Sequence, residues 1–156
     1  MTLLHQFCSA DFITSRQLTT GMGGLAKLNV KWTLLPDNIK NEIVAALDKT
    51  ACSLNDREVA NLLHTFSKLQ ISWRDLAPSM QDGLIESFVR HSDELISEQG
   101  SMAIYAMGLM GLQKAQLDDA VKEHIYSVTI LVLGESYIHI PREVNQQVGI
   151  IKMLRE

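Results

Sequence analysis

LAKLNVKWTLL (residues 25–35) and FSKLQISWRDL (residues 66–76) are one phrase written twice. Laid over one another, they pair Lys27 with Lys68, Leu28 with Leu69, Val30 with Ile71 and Trp32 with Trp73, every pair at i and i+41. Self-similarity at this period marks a repeat array. A unit of that size cannot bury an apolar face alone and must stack on a neighbour.

Outward from this phrase the register extends through three columns: Leu18, Val59, Met102 and Val144; Met22, Leu63, Ala106 and Val148; Leu25, Phe66, Leu109 and Ile151. The successive steps are i+41, i+43 and i+42. Within each copy these positions fall at i, i+4 and i+7, the core stripe of an amphipathic helix, here helix A of each repeat. Thr14 with Gln17 and Asn55 with Glu58 are capping residues with their N3 partners, and Pro141 suits a first turn. A second helix, B, follows at Ile39, Ile43, Val44 and Leu47, then at Met80, Leu84, Ile85 and Phe88.

In the third copy helix B falls at Val121, Ile125 and Tyr126, after a linker two residues shorter beyond Leu112. The run IYSVTILVL there is rich in β-branched residues and reads also as a strand, but its place in the array favours a helix. Leu3, Leu4 and Phe7 stand at i−40 from Ile43, Val44 and Leu47 and read as the end of an earlier helix B.

The expected fold is therefore all-α, a right-handed α-solenoid of stacked two-helix repeats of about 42 residues. It forms one domain over residues 1–156, with a partial repeat at 1–12, repeats at 13–53, 54–95 and 96–138, and a truncated repeat at 139–156. Terminal repeats of such arrays carry a polar outer face, yet the last helix A ends in Val148, Ile151 and Leu154. The chain is thus expected to belong to a longer array, or to meet a partner through Ile151 and Leu154.

NDREVANLLHTFSKL (residues 55–69), followed by Trp73, resembles the octotricopeptide and heptatricopeptide helical-repeat families, relatives of the repeats in FAST-kinase-like and RAP-domain proteins. The resemblance covers nearly the whole chain and is strongest in the second copy. It implies an organellar protein, mitochondrial or plastid, that binds RNA and acts in its processing, translation or ribosome assembly. Armadillo and HEAT repeats have a similar length and imply a protein-binding scaffold instead.

Opposite the core stripe, helix A of the first copy carries Arg16, Thr20, Gly23 and Lys27, and that of the second carries Arg57, Asn61, His64 and Lys68. Stacking aligns Arg16 with Arg57 and Lys27 with Lys68, giving two cationic rows that could hold phosphates while Asn61 and His64 meet bases. The plainer reading is a solvated helix face. The fourth copy keeps Arg142 and Gln146 but has Met153 in place of the lysine.

In the third copy the longer step places Gly100, Ile104, Met107 and Gly111 outward, so the helix is apolar all round and Ile104 and Met107 become a protein interface. Alternatively the curvature of the array buries both faces. Gly108 and Gly111 weaken a helix but permit close packing.

With a net charge of −4 and a pI near 5.7, the chain lacks the basic excess of a free-standing nucleic-acid binder. Residues 1–78 hold eight Lys or Arg against seven Asp or Glu, whereas 79–156 hold six against eleven, so any RNA contact belongs to the first half. The 46% apolar content supplies a continuous core.

Cys8 and Cys52 are isolated, and His5, His64, His91, His124 and His139 are scattered, so no metal-ligand spacing or disulfide framework is present. The uncharged stretch 99–113 is too short to span a bilayer, and the N-terminal residues have neither a signal-peptide nor a transit-peptide layout. GMGG (residues 21–24) lies within a helical pattern without the strand that a dinucleotide fingerprint requires, and reads as packing glycine. Asp93 with Glu94 and Asp118 with Asp119 sit at helix starts, where carboxylates complement the helix dipole.

No catalytic constellation, small-molecule substrate, cofactor or membrane contact is therefore expected. The expected role is a non-catalytic, RNA-associated component of an organellar ribonucleoprotein, most plausibly a mitochondrial ribosome, contacting ribosomal RNA and neighbouring subunits. The alternative is a protein–protein scaffold of an organellar complex without RNA contact.

Overall fold

A computed structural model describes residues 14–91 and 97–133. These are all-helical: α1 (Ser15–Lys27), α2 (Asp37–Thr50), α3 (Asp56–Lys68), α4 (Pro78–Arg90), α5 (Ser97–Leu109) and α6 (Asp119–Leu133), with no strand among the described residues. Short 3-10 turns, Trp32–Leu34, Trp73–Asp75 and Lys114–Gln116, follow α1, α3 and α5, and another, Ala51–Ser53, follows α2. The run IYSVTILVL lies in α6 and is helical.

Helix starts follow from side-chain chemistry. The free N–H groups of a first turn need acceptors. Thr14 and Asn55 each form a capping box with Gln17 and Glu58, as their spacing predicts. Pro78 opens α4, where its missing N–H costs nothing. Asp118 accepts from the Val121 amide at 2.8 Å, and Asp119 pairs with Lys122 at 2.7 Å, so both carboxylates serve the start of α6. Residues 93 and 94 lie outside the described residues.

Helix ends are where the register is decided. Asn29, Gln70 and Gly111 take positive φ of 55°, 61° and 83° and stop α1, α3 and α5. After each, an amide turns back to the last turn of its helix: Val30 to Leu25, Ile71 to Phe66 and Leu112 to Met107, at 3.2, 3.0 and 3.1 Å. This is the Schellman closure, with the apolar contact that accompanies it. Its instances recur at i+41, and so do the helix starts Ser15, Asp56 and Ser97, and Asp37, Pro78 and Asp119.

The i+43 step expected for the third copy is therefore wrong by two. Met107, not Leu109, is the partner of Leu25 and Phe66, and Ile104, not Ala106, is the partner of Met22 and Leu63. Burial agrees, since Ile104 and Met107 are each 1% exposed whereas Leu109 is 59% exposed. Gly100 and Ala106 are also buried, Met102 is only half-buried, and the linker after Leu112 is no shorter than its counterparts.

Packing proceeds helix by helix: α3 lies between α1 and α5, α4 contacts both α2 and α6, and each A helix contacts the B helix that follows it. The joins repeat as well. The Trp32 amide donates to the Leu69 carbonyl at 2.9 Å, and the Trp73 amide to the Met110 carbonyl at 2.7 Å, so each turn is tied to the end of the next A helix. Ser15 Oγ donates to Glu58 Oε2 at 2.9 Å and ties the starts of α1 and α3. With both ends joined, α1 and α3 run parallel.

The glycine expectation is corrected too. A Cβ added at Gly23, Gly24 or Gly108 would have nothing within 4 Å, so these glycines do not mediate tight packing. Gly83 does: a Cβ there would stand 3.0 Å from that of Ala51, and the buried Ser87 hydroxyl donates to the Ala51 carbonyl at 2.8 Å. That close approach seats α4 on the end of α2.

Candidate functional site

Arg16, Lys27, Arg57, Asn61 and Lys68 are exposed, and His64 is half-buried. At about 100° per residue, Arg57, Asn61, His64 and Lys68 share one stripe of α3, and Arg16, Thr20, Gly23 and Lys27 share the matching stripe of α1. Because α1 and α3 are parallel and joined at both ends, the arginines flank one end of the pair and the lysines the other. The rise of the helix between the two rows is about 16 Å.

The electrostatics of these cations differ from those of most on the other layer. Lys40, Arg90 and Lys122 close ion pairs with Asp37, Glu86 and Asp119 at 3.0, 2.8 and 2.7 Å. Among the described residues no carboxylate pairs with Arg16, Lys27, Arg57 or Lys68. Lys27 and Lys68 stand in the last turns of their helices, where positive charge complements the dipole. Arg16 and Arg57 stand in first turns, where a cation opposes the dipole at a cost of about 0.3–1 kcal/mol. A helix gains nothing of its own from arginine there.

Between the rows, His64 has Nδ1 sealed from solvent with no hydrogen-bond partner among the described residues. Burial, and then the charge of Lys68, hold its pKa below the usual histidine value. His64 is thus neutral at physiological pH, and a buried lone pair on Nδ1 costs less than a buried unpaired N–H.

The unfolded chain binds a proton to His64 more readily than the folded one, so stability falls as pH drops below about 6.5 and levels off below the folded pKa. His64→Gln is expected to narrow the difference between urea midpoints measured at neutral and at mildly acidic pH. An unchanged difference would show that His64 does not supply the slope.

Ile104 and Met107, expected as a protein interface, are core residues and cannot meet a partner without unfolding α5. Ile151 and Leu154 lie outside the described residues. The outward stripe of α5 falls on Met102, Tyr105 and Leu109, each at i+41 from its equivalent in α3. Met102 and Tyr105 are half-buried and packed against the core, while Leu109 is exposed. The recurrence of LNV, LQI and MGL (residues 28–30, 69–71 and 110–112) at that same spacing is the signal that identifies this stripe.

Among the described residues no three His, Cys, Asp or Glu side chains group in a way that could hold a metal ion, and no helix is long and apolar enough to cross a membrane. Comparison of the chain with protein-family models, curated proteins and solved structures gave no match.

Proposed function

We propose that this chain is a non-catalytic, RNA-associated component of an organellar ribonucleoprotein, a mitochondrial ribosome, in which α1 and α3 hold phosphates through Arg16, Arg57, Lys27 and Lys68. In this reading it is a right-handed α-solenoid of two-helix repeats related to the octotricopeptide and heptatricopeptide families. The carrying observation is that four exposed cations, none paired among the described residues, stand in two rows on parallel helices, two of them against the helix dipole. Ligand phosphates would supply the missing counter-charge. With a net charge of −4 the chain as a whole offers no basic excess, so in this reading phosphate contact is confined to these rows.

Reversing all four charges to Glu tests the reading. RNA crosslinking of the purified protein should be lost, and the log–log salt slope of residual binding should shrink by about three, at roughly 0.7 per single-strand phosphate contact. Unchanged crosslinking in the quadruple variant would refute the role.

A second reading, a scaffold within an organellar complex without RNA, is favoured by one observation. Leu28 and Leu34, in and beside the turn after α1, are 76% and 75% exposed. Their equivalents behave differently, since Leu69 and Met110 are 0% and 3% exposed and Asp75 and Gln116 are polar. In that case native co-purification with protein partners would survive ribonuclease and fail with Leu28→Asp.

A further inference from the structure

The turn after α1 is less covered than its counterpart after α3. Leu69, Ile71, Trp73 and Leu76 are all buried, whereas at the equivalent positions Leu28 is exposed and Val30, Trp32 and Leu35 are only half-buried. The backbone repeats the difference. The Leu69 and Met110 carbonyls each accept a tryptophan amide from the turn before, and the Leu28 carbonyl accepts no bond among the described residues.

These joins also show what belongs on such a surface. The turn after α1 is seated on the end of α3, so residues 69–76 are met by residues 28–35, a near-copy of themselves. The turn after α3 is seated on the end of α5 in the same way. Like packs on like at both joins. Among the described residues, the stretch of this kind left open is 28–35.

We propose that two copies of this chain pair across a two-fold axis through residues 28–35, each turn covering the other. Leu34 points to the same occupant. Its equivalents Asp75 and Gln116 are polar and exposed, so the stack itself has no use for a leucine there. A two-fold contact needs one self-complementary patch and closes at two copies. The patch is one turn wide, well below a standard interface, so pairing should be reversible and fall in the micromolar range. The inference does not depend on the RNA reading, and it puts a second copy where the scaffold reading has a foreign protein.

The test is sedimentation velocity of the full chain from low to high micromolar concentration. The mass should rise from 17.5 kDa towards twice that value. Leu28→Asp and Leu34→Asp should each raise the dissociation constant about tenfold or more, because each removes an apolar contact from both copies. Both positions are exposed, so urea midpoints should stay near the wild-type value. Leu109→Asp, exposed at the other end of the described stack, should leave pairing unchanged.

Two further readouts need no charge in the patch. With p-benzoylphenylalanine placed at residue 34, isotope-labelled and unlabelled chains should crosslink to one another within residues 28–35. Lys27 and Lys31 are exposed on either side of Leu28 and recur in both copies, so salt should tighten the pair by screening them, opposite to its effect on RNA binding.

A mass that stays at 17.5 kDa, folded Leu28→Asp and Leu34→Asp variants that pair like the wild type, or crosslinks that avoid residues 28–35 would overturn the proposal. Pairing that salt weakens would do the same. A monomer that binds RNA through its cationic rows would leave the RNA reading standing, whereas a dimer that binds none would remove that reading alone. A monomer that takes up a different protein through Leu28 would hand the surface to the scaffold reading.

Discussion

Ile104→Asp is expected to unfold the chain, and Ile104→Asp with Met107→Asp to leave no cooperative transition in urea followed by far-UV circular dichroism. Both side chains are 1% exposed, in the middle of α5, which packs on α3 and α6. Truncating a buried isoleucine alone costs about 2–5 kcal/mol. The carboxylate adds a penalty of several kcal/mol more, because the core cluster around it is apolar. A domain is stable by only about 5–15 kcal/mol.

The matching control is Leu109→Asp, on the outward stripe of the same helix. Leu109 is 59% exposed, so an aspartate there keeps its water, and its stability should move by less than about 1 kcal/mol. Should Ile104→Asp remain folded while Leu109→Asp unfolded, the i+43 register would be restored and the present one lost.

That contrast shows where the sequence was legible and where it was not. In the first two copies polar and apolar positions alternate cleanly around helix A, so Leu18, Met22 and Leu25, and Val59, Leu63 and Phe66, declare the buried face unaided. The caps at Thr14 and Asn55 are equally plain, because a short polar side chain three residues before a Glu or Gln has one local use. In α5 the segment SMAIYAMGLMGL is apolar in every direction, and periodicity has nothing to contrast. Register must then come from the helix end.

Gly111 is that end, and it is legible only by comparison with the other copies. Its equivalents Asn29 and Gln70 are not glycines, yet all three adopt positive φ. Asn tolerates that region with little strain, and Gln is more strained there, so the array's geometry, not residue identity, imposes the turn. Residue type alone therefore misses a feature that spacing reveals. The same error carried Ile104 and Met107 to the surface and hid Met102, Tyr105 and Leu109, which is why the cationic residues of the candidate site were legible in the sequence and the outward stripe of α5 was not.

Trp73→Ala is expected to cost about 3–5 kcal/mol, the range for removing a buried tryptophan. Trp73 is 1% exposed, the largest of the fully buried side chains, and it sits in the turn after α3 that is tied to the end of α5. Its backbone amide would still reach the Met110 carbonyl, and its carbonyl would still accept from Gln81 Nε2, now at 2.8 Å, so the loss is one of packing. Trp32 occupies the same position one repeat earlier and is only half-buried, and Trp32→Ala should cost about 1–2 kcal/mol at the usual transfer value per area. The difference follows from position in the stack: Trp73 lies in the middle of the described helices, whereas Trp32 belongs to the first of the turns. Urea midpoints of the two variants, read by far-UV circular dichroism so that the lost fluorophore does not matter, decide the point. Equal losses would mean that the two turns are energetically interchangeable, and that the central repeat is no better anchored than the first.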